Sequence, residues 1–249
     1  LASAAMSATA MRGSTGTVYA YNLGGEWAPV RDLRLRANFS RAVRAPNLSD
    51  QFTPLGQNFA PAPDDPCSAR NVGNGSATRA ANCTADGVPA GYDFVYQQSL
   101  PFQSGGNPNL QAETSDSWTI GGVFQPRWIP GLSLSVDYYN ITVDDVITSP
   151  AAQDILDACY DAADINNQFC ALFTRAGPGG GPQGEIEGQI LNNSLQVVPL
   201  NYARLKVRGI DFELSYRNRL GNLGTLNARL NYTRVLQNDT FLNPVDPGR

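Results

Sequence analysis

The chain has 249 residues, of which 22 are acidic and 18 are basic, and its formal net charge at pH 7 is −4. This balance, without any run of lysine or arginine, excludes the basic surface that a nucleic-acid partner requires. Histidine is absent, which removes the commonest general base and the commonest metal ligand. We therefore expect no catalytic site, no metal site and no cofactor. The 24 glycines and 17 prolines are typical of β-structure with long loops.

Residues 1–15 are mostly small and mildly apolar, and this segment lacks the charged start of a signal peptide. We expect the chain to begin within a longer protein. No run of 18 consecutive apolar residues occurs in the sequence, which argues against a transmembrane helix. Strands of a transmembrane β-barrel need only about 9 to 11 alternating residues. Whether the chain spans a membrane therefore depends on whether it contains strands in which apolar and polar residues alternate.

Six segments alternate between apolar and polar residues, which predicts β-strands. Their apolar positions, in chain order, are Tyr19, Tyr21, Leu23 and Trp27; Leu33, Leu35, Ala37 and Phe39; Trp118, Ile120, Gly122 and Phe124; Leu132, Leu134, Val136 and Tyr138; Ile210, Phe212, Leu214 and Tyr216; and Leu226, Ala228, Leu230 and Tyr232. The intervening positions carry the charged residues Glu26, Arg34, Arg36, Asp137, Asp211, Glu213, Arg217 and Arg229. A barrel with a wet interior predicts this segregation, and so does a soluble antiparallel sheet with one wet face.

The gaps between the segments are alternately short and long. Residues 28–32, 126–131 and 218–224 are short connections, and the other two gaps are long. Strands of a sandwich usually follow one another at a spacing of about 8 to 12 residues, whereas outer-membrane barrels combine short periplasmic turns with longer extracellular loops. The gaps therefore favour a barrel, with extracellular loops at about residues 45–113 and 148–203. Because these loops show no sustained alternation, we expect their composition to vary without affecting the sheet.

Aromatic residues occupy both ends of the predicted apolar face. The aromatic positions near the short turns are Trp27, Phe124 and Tyr216, and those near the long loops are Phe39, Trp118, Tyr138 and Tyr232. Aromatic rings with polar tips prefer the bilayer interface. The pattern predicts two aromatic girdles around an aliphatic band, and aromatics scattered through an ordinary sheet are the alternative.

Two motifs flank the long gap between the second and third predicted strands, residues 40–48 (SRAVRAPNL) and residues 107–115 (NPNLQAETS). They resemble a pair of motifs that occurs in this order in TonB-dependent receptors. The resemblance continues through residues 136–141, 207–213 and 224–233, and it covers the six strands but not the long loops. The chain is thus similar to the C-terminal-side part of the barrel of such a receptor.

The resemblance implies an all-β fold, a segment of an antiparallel transmembrane β-barrel with about six of the roughly 22 strands of a plugged barrel. It also implies a receptor in the bacterial outer membrane that imports a ferric siderophore, cobalamin or an oligosaccharide with energy supplied through TonB. Its partners would be the lipid bilayer, the ligand and the TonB complex, the last through a plug that this sequence lacks. We therefore expect residues 1–249 to be a fragment of the receptor.

The motif residues are interpreted as structural, with direct ligand contact as the alternative. Pro46 lies where the chain leaves a strand, because proline cannot donate to a sheet ladder. If the second and third predicted strands are neighbours, an ion pair joins Arg44 to Glu113 at their rim. The remaining residues of this group are Asn107 and Pro108.

Four cysteines lie in the two long loops, and local pairing predicts the disulfides Cys67–Cys83 and Cys159–Cys170. Without histidine a zinc site needs cysteine ligands alone, and none of the spacings is the short type that such sites use. Disulfides are typical of a cell-surface location.

Other loop features have a functional and a structural interpretation. Tyr92, Phe94 and Tyr96 alternate in the first long loop and are candidates for stacking on a ligand ring, with a loop that packs on itself as the alternative.

Helical spacing predicts a short surface helix over residues 151–163, in the second long loop. Glycine and proline at residues 177–182 predict a flexible loop tip.

The acidic pairs Asp64–Asp65 and Asp144–Asp145 are interpreted as solvated turn residues, because neither has the spacing of a calcium loop.

Three other classes of protein compete with the receptor. A soluble extracellular all-β glycan-binding module would expose the polar face and bury the apolar one. A β-structured hydrolase needs paired carboxylates on convergent loops, whereas Asp211 and Glu213 lie on one strand face without a partner. A porin that does not depend on TonB is the nearest rival among membrane proteins. No pattern in the loops identifies the ligand.

Overall fold

The computed structural model describes residues 2–13 and 16–242, and the expectations for residues 1, 14–15 and 243–249 lie outside these ranges. The strands are β1 (Ala2–Gly13), β2 (Gly16–Val30), β3 (Leu33–Arg44), β4 (Gly56–Ala60), β5 (Leu100–Ser104), β6 (Glu113–Phe124), β7 (Leu132–Thr148), β8 (Gln196–Val197), β9 (Leu200–Arg219) and β10 (Thr225–Phe241). The α-helices are α1 (Leu48–Phe52), α2 (Arg79–Ala85) and α3 (Ala152–Asp161). Single 3₁₀ turns occur at Val72–Asn74, Cys170–Leu172 and Gly221–Leu223.

The chain divides into two compact units. The sheet unit contains the strands within Leu1–Ala45, Gln111–Val146 and Arg204–Phe241. The loop unit consists mainly of Pro46–Leu110 and Ile147–Ala203. None of the described helices is long and apolar enough to cross a membrane.

Within the described residues, the sheet unit has seven strands in the order β1-β2-β3-β6-β7-β9-β10. The pairs β1–β2, β2–β3, β3–β6, β6–β7 and β9–β10 are antiparallel. All six predicted strands are present, which confirms the all-β fold class. The sequence did not predict β1, because its outward positions are mostly alanine and the alternation of Ala, Ser and Thr carries almost no hydrophobic contrast.

Strand register confirms the apolar face that the alternation predicted. Leu23 lies opposite Phe39, which lies opposite Trp118, while Ala37 lies opposite Ile120, which lies opposite Tyr138. The rings of Phe39 and Trp118 are 4.4 Å apart between centroids. More than half of the surface of Trp27, Trp118, Ile120, Leu230 and Tyr232 is exposed. The sheet unit therefore presents large apolar side chains on the side opposite charged residues such as Arg36 and Asp137.

The loop unit has its own core, contrary to the expectation of two irregular loops. It contains a three-stranded sheet in the order β4-β5-β8, in which β5 pairs antiparallel with β4 and parallel with β8. Helix α3 lies within the predicted helical segment. The largest fully buried side chains include Leu100, Ile155, Leu156, Tyr160, Ile190 and Leu195. No sequence pattern indicated this core, because its apolar residues come from short segments of both loops and have no common period.

Candidate functional site

An ion pair crosses three strands on the polar side of the sheet unit. Nε and Nη2 of Arg36 in β3 donate to Oδ1 and Oδ2 of Asp137 in β7, at 2.8 and 2.6 Å. The strand between them, β6, has Gly121 at the matching position of the register. A Cβ atom on Gly121 would lie 2.1 Å from Oδ1 of Asp137. Glycine is therefore required here for the arginine to reach its carboxylate.

The two family-like motifs meet where β3 ends and β6 begins. Arg44 lies directly opposite Glu113, and its Nε donates to Oε2 of Glu113 at 2.6 Å while its Nη2 contacts Oε1. Three residues further into the sheet, and on its other side, Nε and Nη2 of Arg41 donate to both carboxylate oxygens of Asp116, at 2.7 and 2.5 Å. The predicted rim ion pair of Arg44 and Glu113 is confirmed, in agreement with a structural role.

The second motif also holds backbone segments of the loop unit together. The side-chain amide of Asn107 donates to the carbonyl of Pro199 at 2.9 Å, and its backbone N–H donates to the carbonyl of Asp50 at 2.8 Å. Pro46 is half-buried, whereas Pro108 is exposed. These contacts favour a structural interpretation of Asn107 and give no role to Pro108.

A buried arginine links the two long loops. Arg175, from the second loop, donates from Nη2 and Nη1 to Oδ1 and Oδ2 of Asp65 in the first loop, at 2.7 and 2.8 Å. Its side chain is 3% exposed, and that of Asp65 is 0% exposed. Tyr92 donates its hydroxyl to Asp65 at 2.8 Å, and Arg175 Nε donates to the hydroxyl of Tyr160 at 2.6 Å. Because Asp65 is buried, the interpretation of it as a solvated turn residue is wrong. Arg175 compensates the charge of this buried carboxylate.

The tyrosines of this cluster are kept protonated by their surroundings. Burial and the carboxylate of Asp65 raise the pKa of Tyr92 far above its ordinary value. Burial likewise raises the pKa of Tyr160, although the charge of Arg175 opposes the shift. Tyr160 can therefore donate to Asp86, with 2.5 Å between the oxygens, while it accepts from Arg175.

A second polar link joins α2 of the first loop to α3 of the second. Nε of Arg79 donates to Asp161 at 2.6 Å, and its Nη2 donates to Asp157 at 2.9 Å. The amide of Asn82 donates to the carbonyl oxygens of Tyr160 and Ala162, at 2.9 and 2.8 Å. The loop unit is thus assembled across the two loops by charged and amide side chains.

The structure contains both predicted disulfides, Cys67–Cys83 and Cys159–Cys170. Each of them closes a segment within one loop. The covalent cross-links therefore stabilise the separate loops, and the polar clusters around Arg175 and Arg79 hold the two loops to each other.

The aromatic residues singled out for ligand stacking pack inside the loop unit. Tyr92 and Tyr96 are 6% and 8% exposed, and the ring of the half-buried Phe94 packs edge-on against that of Tyr96, with 4.9 Å between centroids. The structure thus favours a loop that packs on itself. Phe52 and Phe59 are instead 59% and 56% exposed. The exposed position of Phe52 could have been inferred from the sequence. Asn47 is a typical helix-capping residue, and the short helix that follows it places Leu48 and Phe52 one turn apart.

Within the part of the chain that the structure describes, no group of three or more cysteine, aspartate or glutamate side chains is arranged to hold a metal ion.

Comparison with known proteins places the chain in a family. A family model described as TonB dependent receptor-like, beta-barrel, matches residues 6–248. The chain belongs to that family. The match names receptors and not enzymes, in agreement with the prediction that the chain carries no catalytic function. No curated protein matches the chain.

Solved structures of TonB-dependent receptors have a similar fold. The siderophore receptor PirA from Acinetobacter baumannii is 14% identical, with a TM-score of 0.55 over 94% of this chain and 25% of that one. A double mutant of the ferric enterobactin receptor PfeA from Pseudomonas aeruginosa is 20% identical, with a TM-score of 0.50 over 90% of this chain and 22% of that one. The chain thus spans about a quarter of the length of these structures. At these identities the likeness shows the fold alone.

Membership in an outer-membrane barrel family accounts for the two sides of the sheet unit. Apolar side chains suit a strand face that meets lipid, and ion pairs such as Arg36–Asp137 suit a face that meets a polar interior. In a water-soluble sheet, Trp27, Trp118 and Leu230 would be exposed to solvent. Exposure of their apolar surface to water is unfavourable in free energy.

Proposed function

We propose that the chain is part of an outer-membrane receptor that binds a scarce ligand at the cell surface and imports it with TonB-coupled energy. The observation that carries this proposal is the segregation of the sheet unit into an exposed apolar face and an ion-paired polar face. The match to the barrel family over residues 6–248 supports it. A soluble glycan-binding module, the competing class, needs a cover for the apolar face, and its large aromatic residues are exposed instead.

We further propose a ferric siderophore as the ligand, in preference to cobalamin or an oligosaccharide. One similar structure is described as a siderophore receptor and another as a ferric enterobactin receptor, which supports this choice. The ligand would meet the surface of the loop unit, on the extracellular side. Phe52 and Phe59 are exposed aromatic rings of that unit, and aromatic rings stack well on planar ligand groups.

The test uses the full-length receptor that contains this segment, expressed in a strain that lacks its own siderophore receptors. Binding and uptake of radiolabelled ferric siderophores are measured with and without functional TonB, and cobalamin and oligosaccharides serve as comparison ligands. We expect binding in both backgrounds and uptake only with TonB. Uptake that persists without TonB would indicate a porin and would contradict the proposal.

A further inference from the structure

The two long segments of the loop unit carry a strong excess of negative charge. Pro46–Leu110 and Ile147–Ala203 contain eleven acidic residues but only three basic ones, Arg70, Arg79 and Arg175. The whole chain has 22 acidic and 18 basic residues, so the remainder has eleven acidic and fifteen basic residues. The negative charge of the chain is therefore concentrated in the loop unit.

All three basic side chains of these segments form ion pairs within them. Arg79 and Arg175 belong to the polar clusters that hold the two loops together. Arg70, at the surface, donates from Nε and Nη2 to both carboxylate oxygens of Asp93, at 2.8 and 2.6 Å. Both segments lie wholly within the described residues, and they therefore offer no free cation to a negatively charged ligand.

Four exposed carboxylates of the same segments lack a basic partner. Asp64, Asp154, Asp164 and Glu187 are exposed, and none of them forms an ion pair with any residue in the described part of the chain. The protein therefore leaves their negative charges uncompensated. A surface of this kind attracts ligands of the opposite sign.

Two of these carboxylates belong to residues that meet across the two loops. Oε1 of Gln153 accepts the backbone N–H of Asp64, and Nε2 of Gln153 donates to the carbonyl of Asp64, each at 2.9 Å. Asp154 follows Gln153 in the first turn of α3, where its carboxylate accepts the backbone N–H of Ala151 at 3.2 Å. We call Asp64 and Asp154 the acidic junction, because they lie where the first loop contacts the second.

An excess of negative charge discriminates between classes of iron complex. Three hydroxamate groups neutralise a ferric ion, and an additional ammonium group makes the complex cationic. Three catecholate groups instead leave the ferric ion with a net negative charge. Exposed charges act over a Debye length of about 8 Å at physiological ionic strength. A cationic complex is thus attracted to the loop unit, and an anionic complex is repelled.

We propose that the loop unit selects a ferric siderophore of net positive charge, such as a trihydroxamate complex with a free ammonium group, and that the acidic junction contributes to this selection. The inference rests on the proposed function, in which the loop unit is extracellular and meets a ferric siderophore. The exposed rings of Phe52 and Phe59 fit the same ligand, because the face of an aromatic ring attracts a cation.

The test compares ferrioxamine B, a ferric trihydroxamate with a free ammonium group, with its N-acetyl derivative, which has the same iron centre without the charge. Binding to the purified full-length receptor is measured by fluorescence quenching at low and at high salt, and a ferric tricatecholate is the third ligand. At low salt we expect ferrioxamine B to bind about tenfold more tightly than its N-acetyl derivative, and the tricatecholate to bind most weakly. High salt should reduce the tenfold preference to about threefold or less, because it screens exposed charges.

The double variant Asp64→Asn, Asp154→Asn tests the acidic junction. Asparagine keeps a side-chain oxygen for the cap of α3, and limited proteolysis checks that the loop unit is folded. We expect the preference for ferrioxamine B to fall about threefold. Asp64→Asn alone, which leaves the cap untouched, should lower it about twofold. The control is Glu26→Gln, Asp211→Asn, which removes two exposed charges from the polar side of the sheet unit and should keep the preference.

Several outcomes would overturn the proposal. Equal affinity for ferrioxamine B and its N-acetyl derivative would do so, and so would an unchanged preference in the Asp64→Asn, Asp154→Asn variant or an equal loss in the control. Tighter binding of the tricatecholate, with uptake that requires TonB, would refute the selection by charge and leave the proposed function standing. Failure of every ferric siderophore to bind would contradict the proposed function as well.

Discussion

At the scale of single residues, the polar side of the sheet unit depends on small side chains as much as on charged ones. The ion pair of Arg36 and Asp137 spans β6 only because Gly121 has no Cβ. The sequence marked both charged residues as polar-side positions but gave no reason to pair them. Their pairing depends on the register of three strands. Local sequence does not show that register, because the two residues are 101 positions apart.

Replacement of this glycine should therefore destabilise the barrel. In Gly121→Ala the new Cβ collides with Asp137 and the carbonyl of Val136, and we expect the full-length receptor to lose about 1 to 3 kcal/mol of unfolding free energy. The measurement is urea unfolding in detergent, followed by heat-modifiable gel mobility. Gly25→Ala is the matched control, because its Cβ would meet only a carbonyl at an ordinary 3.6 Å. Equal losses in both variants would contradict the steric explanation.

The buried arginine of the loop unit permits a second prediction. Arg175→Ala leaves Asp65 buried without its partner, which typically costs about 3 to 5 kcal/mol. We expect the loop unit to become sensitive to limited proteolysis while the barrel keeps its gel mobility. Arg70→Ala, which removes the exposed ion pair with Asp93, should leave the cleavage rate unchanged. Resistance of the Arg175→Ala variant would show that apolar packing alone holds the loops together.

At the scale of elements, the strands were predictable and the loops were not, for a physical reason. A strand with one face in lipid repeats its environment every two residues, so β2, β3, β6, β7, β9 and β10 carry that period in their sequences. In β1 the outward positions are mostly alanine, so its two faces differ little in hydrophobicity and the two-residue period is not visible in the sequence. The core of the loop unit joins segments such as β5 and α3 that lie far apart in sequence, and no local pattern encodes such contacts. The rim pair Arg44–Glu113 was predicted because it occurs at the ends of two periodic strands.

The orientation of the sheet unit can be tested with charges on its two sides. In the full-length receptor, Ile120→Arg or Leu134→Arg would place a cation against lipid, which costs roughly 2 to 4 kcal/mol near the bilayer midplane. We expect a clear loss of folding into lipid vesicles. The control Ser133→Arg carries the same charge on the opposite side of β7, next to Leu134, and should fold normally. Equal damage on both sides would mean that the apolar face does not meet lipid.

At the scale of the whole molecule, the fold separates the periodic strands from the loop unit, which we propose meets the ligand. The sheet unit holds the periodic strands, and the loop unit holds both disulfides and a core of its own. Deletion of a single loop segment is therefore a poor test of recognition. Residues 61–96 contribute Asp65, Arg79 and both cysteines of one disulfide to that core, so their removal would unfold the other loop as well.

A sharper test of the proposed recognition changes only the surface of the loop unit. Phe52→Ala and Phe59→Ala remove rings that are more than half exposed, so we expect little loss of stability. If these rings stack on the ligand, the double variant should bind ferric siderophore at least tenfold more weakly, since each lost aromatic contact is worth about 0.5 to 1.5 kcal/mol beyond its buried area. Binding is measured by fluorescence quenching on the purified receptor, and proteolysis confirms an intact loop unit. Val95→Ala, at another exposed apolar position of the same unit, is the control. Unchanged binding in the double variant would assign recognition to another surface of the receptor, because the loop unit would then be folded and present without contacting the ligand through its exposed rings.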